Sequence, residues 1–504
     1  MANKFYITTP IYYVNAAPHI GHSYTTIAAD TLARYERFVL GNENVWFLTG
    51  TDEHGQKIQK AADEAKLSAQ QFVDNVSGQF RELGKQLAIA NDDFIRTTES
   101  RHIQTVQRAL EIVYKNGDIY EDTYEGWYCT PCETFWPESQ LVERVCPDCK
   151  RPVDKISENN YFFRLSKYQS WLIEYIETHP NFIRPQHRRN EVLSFLKMNV
   201  LSDLCISRPK ERLSWGIPLP FSRDHVTYVW FDALVNYISA VGSFDDAGKY
   251  TSAWWTEGTE IVHLMAKDIL RHHAVYWPIM LHALGIRQPD TIFAHGWWMM
   301  HDAKMSKSRG NVVSPAAMVD RFGIDTFRYF LLRDVPFGMD GNFSEDAIIK
   351  RFNGDLANDI GNLVYRTLTM VEKYYKGQVP VCPRASNEAS AAIYAKADHL
   401  QEEISPYLTA AADFNFSAAL EKIWELVNMA NKHVENTKPW NLAKENKTEE
   451  LKGFIRLLVD VIRVVADAIY PVMPNTACLI KEQIGQDVVN KGNPLFPRID
   501  TKRG

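Results

Sequence analysis

Apolar and polar residues follow two different periods along the first half of the chain. Phe5–Thr9 and Asn44–Leu48 are short runs rich in β-branched and aromatic residues, and they predict strands. Ser23–Leu40, Ala61–Leu87 and Ile103–Asn116 repeat their apolar positions every three to four residues, which predicts amphipathic helices. Strands that alternate with helices predict a parallel sheet. After Gly117 the alternation gives way to aromatics, prolines and paired cysteines, and this inserted character lasts to about Pro220. Strand patterns resume at Glu260–Met265 and Thr291–Ala294. From Phe352 onward long helical periods dominate: Asp355–Tyr375, Glu388–Tyr407, Phe416–Val434 and Leu451–Tyr470. They predict an α-helical bundle. No internal repeat or low-complexity tract is present.

A chain of 504 residues exceeds what one core supports, so several domains are expected. Hydrophobic content of 45% and charged content of 23% are those of an ordinary globular protein. The net charge of −6 excludes a uniformly basic nucleic-acid binder but not local basic patches. Arg184–Arg189 and Arg208–Arg212 are two such patches, readable either as phosphate contacts or as solvated surface. No run of about 18 apolar residues predicts a membrane span. The first residues, Met1–Lys4, carry neither a signal core nor an Arg-rich leader. A cytoplasmic protein is expected.

Three clusters carry candidate chemistry. His19-Ile20-Gly21-His22 stands where a strand pattern gives way to a helix. His19 and His22 share one helical face, and Gly21 leaves room for a flat ring against the backbone. A helix N-terminus also favours anions. Taken alone, the cluster could equally be two surface histidines around a capping glycine. The second cluster, Lys304-Met305-Ser306-Lys307-Ser308, is followed by Arg309-Gly310-Asn311. Lysines on such a loop can meet negative charge as it develops on a polyphosphate, and a plain charged loop is the alternative. The third is Cys129-x2-Cys132 with Cys146-x2-Cys149, a spacing suited to one tetrahedral zinc with no open position. A reducing compartment disfavours disulfides there, and a redox pair would not need a second CxxC. The chain has seven cysteines, and the other three, Cys205, Cys382 and Cys478, are expected as small buried hydrophobes.

The His-Ile-Gly-His and Lys-Met-Ser-Lys-Ser stretches, in this order, match the two signatures of the class I aminoacyl-tRNA synthetases. The chain resembles the methionyl-tRNA synthetases almost end to end. The resemblance implies an α/β fold with a Rossmann-like catalytic domain in two halves, residues 1–116 and 223–297. It also implies a zinc-knuckle insertion at 117–222, a connecting region with the lysine loop at 298–351, and a helical anticodon-binding domain at 352–504. Catalytic roles would fall to His19, His22, Lys304 and Lys307. ATP would be held by Gly21, Asp268, His295, Gly296 and Lys307, with Mg²⁺ accompanying it. Lys307 would contact the phosphates, Asp268 the ribose, and His295-Gly296 the adenine.

The amino acid needs a separate argument. A thioether suits aromatic walls, because sulfur–aromatic contacts are favourable. The resemblance assigns Ile11, Tyr13, Trp230, Ala233, Tyr237, Ile269 and His273 to a methionine pocket, with His273 able to bond weakly to sulfur. Each aromatic taken singly could be plain core. Asp52, in Gly50-Thr51-Asp52-Glu53-His54-Gly55, would pair with the substrate ammonium. Leu234 departs from relatives that carry proline there, which leaves the pocket's fine shape open. The insertion of roughly a hundred residues is too small for the editing domain of isoleucyl, valyl or leucyl enzymes. Asn362 and Arg366, four apart on one helix face, and Trp440 at a helix boundary would read the anticodon; capping, surface and core roles are their alternatives. The implied function is methionine–tRNA ligation, with methionine, ATP and tRNA(Met), initiator included, as partners. One structural zinc and a monomer are expected, because dimeric relatives use an extra C-terminal module. The rivals are a non-catalytic tRNA-binding paralogue, which would be expected to lack one of His19, His22, Asp52 or Lys307, and an adenylyl transferase, against which the bundle and insertion argue.

Overall fold

The computed structural model describes residues 3–15, 18–129, 134–136, 138, 141, 145–147, 150–228, 230–300, 303–304 and 313–500. Cys132, Cys149 and Lys307 lie outside these residues, and Lys304 is described in its backbone only. The chain forms two compact units: residues 1–18, 36–84 and 90–294, and residues 19–35, 85–89 and 295–504.

The first unit is built on a seven-stranded sheet. Its strands are β1 (Lys4–Thr8), β2 (Tyr12–Tyr13), β3 (Val45–Asp52), β4 (Asp93–Arg96), β5 (Ile183–Arg184), β6 (Thr259–Ala266) and β7 (Thr291–His295). The order is β2-β3-β1-β6-β7-β5, with β4 paired to β3. The β1–β3, β1–β6, β2–β3, β3–β4 and β7–β5 pairings are all parallel. A parallel sheet is covered on both faces, so its strands lose the in–out alternation. Accordingly Phe5, Tyr6 and Ile7 are all buried, and Val106, Ala109, Leu110 and Val113 of helix Ser100–Lys115 join the same core. Sequence pattern located β1, β3, β6 and β7. It did not locate β2, β4 or β5, which at two, four and two residues are too short to set a period. β5 lies within the segment that reads as insertion, yet it pairs with β7 at the sheet edge.

The predicted helix over 61–87 is two helices, Gln56–Glu64 and Ala69–Gln86. Lys66 adopts φ 57, which ends the first. Ser68 and Gln71 then form a reciprocal cap: the Gln71 amide donates to Ser68 Oγ at 3.3 Å and the Ser68 amide to Gln71 Oε1 at 3.2 Å. The inserted region holds a long antiparallel pair, Ile119–Cys129 against Asp154–Phe163, flanked by Thr134–Trp136 and Leu204–Cys205.

Arg188, Arg189, Arg208 and Arg212 of the basic patches make contacts within this unit, while His187 and Lys210 are exposed. Arg208 is 3% exposed, its guanidinium carbon 3.6 Å from the centre of the Tyr228 ring, and donates to the Ser207 carbonyl at 2.7 Å. Arg212 pairs with Glu158, Arg188 with Glu191, and Arg189 donates to the Ile176 carbonyl. Neither reading of Arg208, phosphate contact or solvated charge, survives its burial.

The second unit contains a three-stranded sheet, in which Trp298–Met300 runs parallel to Gly341–Asn342 and antiparallel to Ala303–Lys304. Its bundle is made of Asn362–Tyr375, Glu388–Asp398, Phe416–Thr437 and Thr448–Ile469, with an unforeseen helix at Pro474–Ile484. The first predicted helix begins as a π-helical turn, Phe352–Gly361, and becomes α-helical at Asn362. Cys478 is exposed, and Cys205 and Cys382 are half-buried, so these three thiols are not the core residues expected. Among the described residues no helix is long and apolar enough to cross a membrane.

Candidate active site

In the second unit, helix Ile20–Leu40 starts one residue after the first histidine. His19 Nδ1 accepts from the Gly21 amide at 3.1 Å, and the His19 carbonyl accepts from the His22 amide at 3.0 Å. The His19 amide donates to His22 Nδ1 at 3.2 Å. The two imidazoles stack, with centroids 3.9 Å apart and planes at 21°. A Cβ on residue 21 would lie 3.0 Å from His19 Cε1, so glycine is what lets the first ring fold back over the helix start. His295 closes the same corner. Its Nδ1–H donates to the Gly296 carbonyl at 2.7 Å, and its Nε2 lies 2.7 Å from the Thr25 hydroxyl, which itself donates to the Gly21 carbonyl at 3.3 Å. Tyr24 meets the His295 ring edge-on at 4.8 Å. Gly296 has a packing reason: a Cβ there would meet the Met339 carbonyl at 2.3 Å. Lys304 pairs in register with Met299 in the small sheet.

The first unit holds the residues assigned to methionine. Register places Tyr13 of β2 directly opposite Asp52 of β3. Asp52 is 7% exposed, at the carboxyl end of its strand, where ligands of open parallel sheets bind. Asp268 is exposed in the turn Lys267–Ile269 that follows the carboxyl end of β6. Ile11, Trp230 and Ile269 are half-buried against one core that includes Tyr237. Ala233 is buried on the short helix Trp230–Leu234, and Leu234 joins the core.

The ring cluster here is electrically neutral. Trp230 stacks on His272 with centroids 3.6 Å apart. Burial pushes His272 down to about 3 and His273 down to about 4, and it holds His263 well below its ordinary value. His273 Nδ1–H donates to the Ile269 carbonyl at 2.9 Å, so Nε2 accepts from the Tyr237 hydroxyl at 2.7 Å. Both nitrogens are thereby committed to protein partners, and the weak bond to a substrate sulfur expected of His273 has no N–H to make it. Trp277 can only donate, at 3.2 Å, to His263 Nε2, which fixes the His263 proton on Nδ1 toward Thr8 Oγ1 at 2.7 Å. Neutral stacked rings suit an apolar, polarizable side chain, and the buried carboxylate of Asp52 suits an ammonium.

Nothing in the sequence pattern singles out His54, His102 and Asp232 as a group. The structure joins them: Asp232 accepts from both imidazoles at 2.7 Å. No spacing rule links residues 54, 102 and 232.

In the bundle, Asn362 and Arg366 are half-buried on one helix, and Trp440 is 43% exposed behind Pro439 and a left-handed Lys438. That exposure removes core packing as the explanation of Trp440. Cys129 and Cys146 are fully buried and share one small cluster with Val153.

A histidine-capped helix start and an open parallel sheet are features of a class I tRNA synthetase, and the family model described as "tRNA synthetases class I (M)" matches residues 5–155 and 151–368. The methionine–tRNA ligase of Caldanaerobacter subterraneus subsp. tengcongensis is 47% identical over 100% of this chain and 80% of its own length. That of Bacillus subtilis is 42% identical over 99% and 78%. Mycobacterium tuberculosis methionyl-tRNA synthetase in complex with methionyl-adenylate superimposes with a TM-score of 0.89, at 40% identity, over 98% of this chain and 100% of that one. Its apo form gives 0.83 at 36% identity, over 99% of each. The chain belongs to the methionyl-tRNA synthetases, the methionine–tRNA ligases.

Proposed function

We propose that the chain activates methionine with ATP and then esterifies the terminal adenosine of tRNA(Met). A methionine carboxylate oxygen attacks the α-phosphorus, the bond to pyrophosphate breaks, and methionyl-adenylate forms. A ribose hydroxyl of the tRNA then attacks the methionyl carbonyl and releases AMP. The observation that carries this reading is the helix start. His19 and His22 stack at 3.9 Å at the N-terminus of Ile20–Leu40, where the positive end of the helix dipole favours phosphate. In this assignment His19, His22, Lys304 and Lys307 act on the phosphates, Mg²⁺ accompanies ATP, and Gly21, Asp268, His295 and Gly296 hold the nucleoside. Asp52 takes the methionine ammonium, and Ile11, Tyr13, Trp230, Ala233, Tyr237, Ile269 and His273 enclose the side chain. Asn362, Arg366 and Trp440 of the bundle, residues 352–504, take the anticodon.

Methionine-dependent exchange of pyrophosphate into ATP, without tRNA, tests the assignment. Lys307→Ala should abolish exchange while methionine binding persists, because the charge acts on the phosphates during transfer. Near-normal exchange in that variant would sink it.

We assign one structural zinc to Cys129, Cys132, Cys146 and Cys149. Support comes from the two described cysteines, both buried in one cluster, and from the turn after Cys146, which closes with the Lys150 amide donating to the Cys146 carbonyl at 2.9 Å with Lys150 at φ 58. Such a turn can direct a CxxC pair at one ion. Elemental analysis should find about one zinc per chain, and a metal-free, active preparation would refute the site. A cytoplasmic location fits a zinc thiolate site, since such ligands need a reducing compartment.

A further inference from the structure

A buried carboxylate unused by the reaction above ties together the segments that carry the methionine pocket. Asp232 lies on Trp230–Leu234, two residues after Trp230 and one before Ala233, and is 1% exposed. Its Oδ2 accepts from His54 Nδ1–H at 2.7 Å, and its Oδ1 accepts from His102 Nε2–H at 2.7 Å. His54 follows Asp52 by two residues. His102 belongs to helix Ser100–Lys115, and its second nitrogen lies 2.9 Å from Ser239 Oγ on the turn of helix that carries Tyr237. One carboxylate therefore connects the loop of Asp52, the helix of Trp230 and the helix of Tyr237.

The peptide between Asp52 and His54 is pinned on its other side as well. Glu53 is fully buried and receives Arg96 through Nε at 2.7 Å and a terminal nitrogen at 2.9 Å. Thr51 and Thr98 donate to the same carboxylate at 2.7 and 2.6 Å. Trp215 Nε1 donates to the Glu53 carbonyl at 2.5 Å. Burial acts to raise the Asp232 pKa, but His54 and His102 outweigh it and bring it down to about 2, so the bonds to Asp232 are charge-assisted. Charge-assisted bonds are short and directional, and two of them on a fully buried carboxylate leave its helix little freedom.

A site for a flexible unbranched amino acid selects by the distance between its ammonium partner and its side-chain wall. We infer that Asp232, acting through His54, fixes the separation of Asp52 from the Trp230–Tyr237 wall, and is a positioning residue for methionine affinity and side-chain selectivity. The inference rests on the assignment of Asp52 and Trp230 to the methionine pocket.

Pyrophosphate exchange on the full chain tests it. His54→Ala should raise KM for methionine about tenfold or more, with KM for ATP within about twofold. The preference for methionine over norleucine and ethionine should narrow about fivefold. His54→Asn, whose side-chain amide can place an N–H near the lost Nδ1–H, should recover methionine KM to within about threefold. Asp232→Asn should shift methionine KM in the same direction as His54→Ala. A merely structural network would instead lower the melting temperature and both substrates' parameters together, with no rescue by asparagine, and that result overturns the inference. Asp52→Ala separates the two layers. An unchanged methionine KM in that variant sinks the pocket assignment and this inference with it. A raised KM there, with His54→Ala unchanged, overturns the inference alone.

Discussion

Glycine 21 makes the residue-scale argument concrete. The sequence marks it as a place where a ring can approach backbone, and the ring that does so is His19, within van der Waals reach of where a Cβ would stand. Gly21→Ala should therefore displace the His19–His22 stack while leaving the helix intact. Alanine in a helix is favoured over glycine by about 0.5–1 kcal/mol, so melting should hold steady or rise. Adenylate formation should fall several-fold, because a side-chain shift at the proposed phosphate site, even a small one, weakens its alignment. Exchange kinetics and thermal melting on one sample check this, and full activity would show that the stack is incidental. The histidines were legible in the sequence as residues. Their mutual capping was not, because ring orientation depends on rotamers that no spacing specifies.

Elements are held by buried charge where the hydrophobic pattern says nothing. Arg328, on Ile324–Arg333, and Asp30, on Ile20–Leu40, are both fully buried and pair at 2.7 Å. Arg328 also donates to the Val472 carbonyl at 2.7 Å and the Pro471 carbonyl at 2.9 Å, which anchors Ile20–Leu40 to the end of the bundle. Arg328→Met should destabilise the chain by about 1–3 kcal/mol, since Asp30 keeps Arg34 at 2.7 Å while the Val472 and Pro471 carbonyls lose a buried donor. Chemical denaturation measures the loss, and an unchanged stability would show that Arg328 is not the anchor. The far end of the same helix carries the opposite case. Burial, with Glu260 nearby, pushes Glu36 up to about 7. The folded state therefore holds a proton that the unfolded chain releases near 4.5, and stability declines as pH rises from 4.5 through 7. Glu36→Gln should stabilise by about 1–2 kcal/mol at pH 8 and scarcely at pH 5. Equal effects at both pH values would contradict the assigned titration. Among the elements, the break at Lys66 was readable in principle, since Ser68 and Gln71 stand at capping-box spacing. The apolar period runs through it, which is why one helix was expected.

For the whole molecule, the proposed division of labour predicts separable activities. Trp440→Ala should cut tRNA charging by at least about tenfold, because an indole stacked on an unpaired base contributes on the order of 1–3 kcal/mol. Exchange without tRNA should stay near normal, since adenylate chemistry is assigned to the sheet and the helix start. With Trp440 43% exposed, melting should change little. A parallel fall in both reactions would rule out the anticodon role.

What the sequence determined by itself was carried by local rules. The periods separated strands from helices over long stretches, and the paired signatures at His19–His22 and Lys304–Ser308 identified the chemistry. Each depends only on residues near one another in the chain. Tertiary structure decided what depends on distant partners. It made Arg208 a buried brace over Tyr228, although its neighbours in sequence read as a surface patch. It spent both nitrogens of His273 on Ile269 and Tyr237, which sequence could not foresee because neither bond follows from spacing. It brought His54 and His102 onto Asp232 across 178 and 130 residues. A buried carboxylate must find donors wherever the fold supplies them, and that choice is made by packing rather than by sequence order.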